Sequence, residues 1–124
     1  MFAFCDDLHL DQDMALRMAC GFGGGMGGKQ QVCGAVSGGV IAIGLKHGRG
    51  EGQDKKAADK SYERVWKLMS RFETKQGSCI CRTLLNGCDL STSEGWQQFK
   101  ENDLRNKICK GCVETAVKTL EDVL

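Results

Sequence analysis

Proline is absent from this 124-residue chain, which leaves glycine to punctuate the segments. No long apolar run is present either. The longest, Val32 to Leu45, is about 14 residues and is interrupted by four glycines, against the roughly 20 that a bilayer span needs. It reads as a buried or packing helix. The opening MFAFCDD lacks a basic n-region, a long apolar h-region and a small-residue cleavage site, which argues against secretion and for the cytoplasm. Neither sign of charge dominates: 17 basic and 16 acidic residues leave +1, interleaved along the chain, so nucleic acid is not an expected partner. No strand-like alternation of convincing length occurs. No Ser-His-Asp set or paired carboxylates stand out, and Gly21–Gly28 lacks phosphate-loop spacing, with neither Ser nor Thr after Lys29.

What the chain does have is eight cysteines. Thiols at this density ligate metal, carry electrons or staple a small secreted scaffold. Here they lie within or at the ends of segments that read as amphipathic helices. A single domain of this length, spanning 1–124, buries roughly two-thirds of its unfolded surface without covalent help. The cysteines are therefore expected as thiols or metal thiolates in a reducing compartment.

Along the chain, Phe2, Phe4, Leu8 and Leu10 form an apolar phase that reads as the continuation of a helix cut short, and a somewhat longer natural form is expected. Asp11 reads as the N-cap of a short helix stopped at Cys20-Gly21. Six glycines follow within Gly21–Gly28, a composition that allows positive φ and close backbone approach. Gln31 to His47 reads as a helix whose small residues Cys33, Gly34, Ala35, Ser37, Gly38 and Gly39 pack closely against a neighbour. Gln53 to Gln76 is the clearest amphipathic helix, with Ala58, Tyr62, Val65, Met69 and Phe72 inward and Gly77 as its stop. Ser91 to Glu94 fits a capping box for a helix that turns Trp96 and Phe99 inward. A last helix carries Cys109, Cys112 or Val113, Ala116, Leu120 and Val123. The expected architecture is all-α, a compact bundle of about five or six helices with a Gly-rich connector.

Cys109-Lys110-Gly111-Cys112 is a C-x-x-C motif read at the start of that last helix, where N–H groups and the helix dipole favour a thiolate. Cys79 and Cys81, adjacent but one, can both face a metal or cluster. Cys88 suits a buried small residue equally well.

These residues bring a resemblance into view. Gly21-Phe22-Gly23-Gly24-Gly25-Met26, Cys33-Gly34-Ala35-Val36-Ser37-Gly38, Ile43-Gly44-Leu45-Lys46, Cys81 with Arg82, Leu84 and Leu85, Gly87-Cys88-Asp89-Leu90-Ser91 and Cys109 together resemble the small bacterial and archaeal family named for its cysteine pattern, C_GCAxxG_C_C. The resemblance implies a compact helical redox domain with four characteristic cysteines. Cys33, Cys81 and Cys109 match three, and the fourth family position falls just upstream of Phe2. The sequence is also similar to the cluster-bearing part of split-Soret cytochromes, which implies an iron–sulfur centre, although no C-x-x-C-H haem site is present.

The leading expectation is an electron-transfer protein with an iron–sulfur cluster on Cys33, Cys81, Cys109 and one further cysteine, for which Cys112 is attractive because it completes the C-x-x-C and Cys5, Cys20, Cys79 and Cys88 are the other candidates. Gly24, Gly25 and Gly34 would provide room and N–H donors. One alternative is metal-free thiol–disulfide chemistry at Cys109 and Cys112, resolved by Cys33 or Cys81. The other is a structural zinc domain acting through protein contacts. A redox partner protein is expected, and a homodimer is left open.

Overall fold

The computed structural model describes residues 1–124 and is 65% helical, with six α-helices and no sheet. These are α1 (Gln12–Cys20), α2 (Gly34–His47), α3 (Lys55–Gln76), α4 (Cys81–Leu84), α5 (Ser93–Glu101) and α6 (Lys110–Val123). No helix is long and apolar enough to cross a membrane.

The core forms where α2, α3 and α6 meet. Ile43, Leu68, Leu120 and Val123 pack together with Phe4 from the chain start. Close approach there depends on Gly39, where an added Cβ would stand 2.7 Å from Leu68 Cδ2 and 3.4 Å from Leu120 Cδ1. The small surface of α2 is thus used for helix packing, at Gly39 more than at Gly38, whose added Cβ would meet nothing nearer than 3.8 Å. A second cluster joins Val36, Phe72 and Ala116 to Cys79 and Cys112. A third joins Leu85, Leu90 and Phe99 to Cys81 and Cys88. The cysteines are therefore part of the core at one end of the bundle.

Several local expectations hold. Asp11 caps α1 by accepting from Met14 N at 2.9 Å, and Gly77 at φ 91° ends α3. His47 Nε2 lies 2.9 Å from the Leu124 carbonyl, tying the end of α2 to the end of α6.

Others are corrected. Phe2–Phe4 is a single 3-10 turn rather than the middle of a helix, and turns lead on to His9, whose left-handed φ of 50° ends any helical run. α2 starts at Gly34 and not Gln31, because Val32 is held in an antiparallel bridge. On α3 the inward stripe is Ser61, Leu68 and Phe72, with Val65 and Met69 half-buried, while Tyr62 is exposed. At about 100° per residue, Tyr62 is rotated off the stripe that Ser61 heads. The α5 cap is Thr92, whose Oγ1 accepts from Gly95 N at 2.9 Å. Ser91 instead spends its hydroxyl on Asp89 Oδ1 at 2.6 Å, and Trp96 stays partly exposed while Phe99 is buried.

Candidate redox site

The glycine loop begins the site. Gly24, Gly25, Met26, Gly27 and Gly28 all have positive φ, a run that side chains other than glycine rarely tolerate. The loop closes on itself through Gly27 N to Gly21 O at 2.8 Å and Gln30 N to Gly24 O at 2.9 Å. It then runs antiparallel to the Cys79–Arg82 segment. Cys33 N donates to Cys79 O at 2.8 Å and Cys81 N donates to Gln31 O at 2.7 Å, on either side of the Val32–Ile80 bridge. Because side chains alternate across such a pair, Cys33, Cys79 and Cys81 fall on one face.

Gln30 locks this arrangement and was not evident from sequence. It is buried at a φ of 58°. Its Nε2 donates to Cys88 O at 2.6 Å, and its Oε1 accepts from Leu90 N at 2.9 Å and Arg82 Nη2 at 3.2 Å. Arg82 also reaches Asp89 Oδ1 at 3.0 Å, which fixes a guanidinium next to Cys81. The only signal in the sequence was a polar pair, Gln30-Gln31, ending the glycine run.

The remaining thiols come from the chain leading into α6. A π-helical turn, Arg105–Cys109, runs directly into that helix, a distortion common at functional sites. This changes the C-x-x-C reading: Cys109 does not sit at a free helix N-terminus, since the Lys110 N–H already bonds Arg105 O. Burial and the nearby charge of Cys33 push the Cys109 thiol up, with Arg105 opposing them.

Cys33 occupies the position expected of Cys109. It is the N-cap of α2, where the nearby Cys112 thiol first, and then the N–H groups of Ala35 and Val36, favour its thiolate and lower its pKa to about 6. Cys112 is correspondingly pushed up, first because its retained S–H stabilises the Cys33 thiolate and then by burial. Its Sγ donates to Gln76 Oε1 at 3.9 Å. Cys81 rises to about 11 through burial and the charges of Cys33 and Cys109, with Arg82 opposing them. Cys79 also rises to about 11 through burial, Glu73 and Cys33.

Cys33, Cys81, Cys109 and Cys112 are thus brought into one mutually interacting group, and Cys79 joins it. Cys88 stays apart, donating to Gly95 O at 3.1 Å. Cys5 is buried near the chain start and Cys20 is exposed at the end of α1. All eight are free thiols. Of the glycines, buried Gly25 abuts the group, an added Cβ there lying 2.8 Å from Cys81 Cβ. Gly24 packs on Gly28 and Gly34 on the Phe22 carbonyl, so the loop fills their space itself. No three His, Cys, Asp or Glu side chains converge closely enough to hold one metal ion.

Compared with known families, the chain matches over residues 1–123 the one described as "Putative redox-active protein (C_GCAxxG_C_C)". The chain belongs to this family. No curated protein and no solved structure matches it. Within the C_GCAxxG_C_C domain, redox activity is accordingly the frame in which the thiol group is read.

Proposed function

We propose that the chain is an electron-transfer protein whose Cys33, Cys81, Cys109 and Cys112 hold an iron–sulfur cluster. The observation that carries this reading is the gathering of four thiols from three separate stretches of chain, with Cys33 close enough to Cys81, Cys109 and Cys112 to raise the proton affinity of each. So many potential thiolates face only Arg82 and Arg105 as opposing cations, an arrangement that a bound cationic iron centre would balance. The donor set suits it in kind, since clusters take cysteine thiolates.

Two unpartnered polar groups also fit. The N–H of buried Gly25, whose backbone passes close to the Cys81 side chain, makes no hydrogen bond to a carbonyl. The Ser37 hydroxyl, one turn beyond Cys33 on α2, is buried with no partner. Each is a donor of the kind that stabilises ligand or inorganic sulfur and tunes its potential. When bound, the cluster would supply a one-electron couple. The chain's own part is to exclude water with Val36, Phe72 and Ala116, to present Cys33 already deprotonated, and to fix Arg82 through Gln30 and Asp89.

A second reading rests on the pairing of Cys33 with Cys112, the strongest of the influences that favour the Cys33 thiolate. Without metal, the Cys33 thiolate would attack a substrate disulfide, releasing one thiolate, and Cys112 would displace the other to leave a Cys33–Cys112 disulfide. The test is the visible absorption of anaerobically purified protein and its bleaching by dithionite, in the wild type and in Cys→Ala variants at positions 33, 81, 109, 112 and 20. Loss of the chromophore in the first four but not in Cys20→Ala is expected. A colourless wild type that forms the Cys33–Cys112 disulfide would favour the second reading.

A further inference from the structure

The basic residues of α3 lie along one stripe. Lys60, Arg64, Lys67, Arg71 and Lys75 recur at spacings of four, three, four and four, which places them on one side of a helix. The chain as a whole is +1, yet α3 carries seven basic residues against three acidic ones, while the first 20 residues carry Asp6, Asp7, Asp11 and Asp13 against Arg17 alone. Positive charge is therefore concentrated on α3, and the helix sets five of these residues along one side.

Part of the stripe is structural. Arg64 donates to the Val123 carbonyl, Lys67 pairs with Glu63 at 2.6 Å, and Arg71 reaches Asp122 Oδ2 at 3.2 Å. Lys75 and, across on α6, Lys118 have no carboxylate partner. With Arg71, Thr115, Thr119 and Asp122 they line an open groove of about 230 Å³.

None of these six residues is apolar. Sites that enclose a small molecule are typically larger than about 300 Å³ and lined mainly by apolar side chains. The groove is too small and too polar for that, but it suits carboxylates arriving on another protein's surface. Weak redox encounters are small and steered by charge. The groove is also joined to the thiols: Gln76 Nε2 donates to Thr115 Oγ1 at 2.7 Å, and Gln76 Oε1 accepts from the Cys112 thiol at 3.9 Å.

We propose that the α3–α6 groove is the docking surface for an acidic protein electron carrier, with Lys75 and Lys118 receiving its carboxylates. The partner's being an electron carrier rests on the redox reading above, whereas the docking itself is measured independently of any cofactor.

The experiment is an amide NMR titration of the intact chain with an acidic flavodoxin as probe, run in parallel with inorganic pyrophosphate and with a single-stranded oligodeoxynucleotide. Saturable shifts at Lys75, Thr115, Lys118 and Thr119 are expected with flavodoxin, weakening as salt is raised. The pair Lys75→Glu and Lys118→Glu should lower affinity at least about ten-fold. The pair Lys55→Glu and Lys56→Glu, equal in charge change but outside the groove, should lower it less than about three-fold. Three results would overturn the proposal: no saturable shift, equal loss in the two pairs, or saturation of the same residues by pyrophosphate or the oligonucleotide at equal or lower concentration. Circular dichroism confirms that the variants are folded. Failure here with an intact chromophore would leave the redox centre standing and remove only the groove.

Discussion

Of the five thiols gathered at the site, Cys33 alone has surroundings that favour its charge. Its acidity is lowered from the usual 9.0 to about 6 by the Cys112 thiol and two α2 N–H groups, which outweigh burial. Because the folded value is depressed, the thiolate stabilises the fold fully above pH 9, progressively less toward pH 6 and not at all below it. In reduced, metal-free protein, iodoacetamide should therefore modify Cys33 with a midpoint near pH 6, while Cys79 and Cys81, raised to about 11, stay unreactive at neutral pH. Cys112→Ala should move the Cys33 midpoint upward, since it removes the largest favourable contact. Mass spectrometry of tryptic peptides across pH reads both, and an unmoved midpoint would show that the α2 N-terminus acts alone. Gln30 matters at the same scale. Gln30→Ala would leave the Leu90 N–H and the Cys88 carbonyl buried without their partner, at a cost of about 2–3 kcal/mol, measurable by urea denaturation.

At the scale of elements, the glycine loop and the helix it feeds set where the thiols stand. Gly25→Ala would drive a Cβ to within 2.7 Å of Gln31 N and 2.8 Å of Cys81 Cβ, at a φ of 68°. It should destabilise by about 2–3 kcal/mol, whereas Gly27→Ala, at φ 59° but facing open space, should cost about 1 kcal/mol. Gly44→Ala on α2, with nothing within 4 Å, should stabilise by roughly 0.5–1 kcal/mol. Comparison of thermal midpoints orders the three. These elements differ in how far the sequence revealed them. Asp11, Gly77 and the 3.6-residue periodicity of α3 and α6 are local signals, so the helices and their count were readable. The exposure of Tyr62 and the closeness of Gly39 to Leu68 depend on which neighbours the helices meet, which no single segment encodes. The π-helical turn before Cys109 was hidden for the same reason: its residues read as an ordinary polar approach to a helix, and the turn engages the Lys110 N–H with Arg105 O so that Cys109 does not stand at a free helix start.

For the whole molecule, the cysteine spacing pointed to a redox domain, and the fold shows how residues nearly 80 positions apart come together. A bridge at Val32 and Ile80 aligns Cys33 with Cys79 and Cys81, and packing of α6 on α2 and α3 delivers Cys112. Neither the bridge nor the Gln30 lock has a sequence signature, because one antiparallel contact and one buried amide leave no periodicity to read. The basic excess of α3, by contrast, is legible along that one helix although the total charge is balanced. The central claim is that Cys33, Cys81, Cys109 and Cys112 form one cluster-bearing centre. It is tested most directly by iron and acid-labile sulfide per chain after anaerobic purification. The account predicts matched iron and sulfide, about two to four of each, falling to background in Cys33→Ala. Folded wild-type protein with neither iron nor sulfide, and with all eight thiols titrating as free, would contradict it.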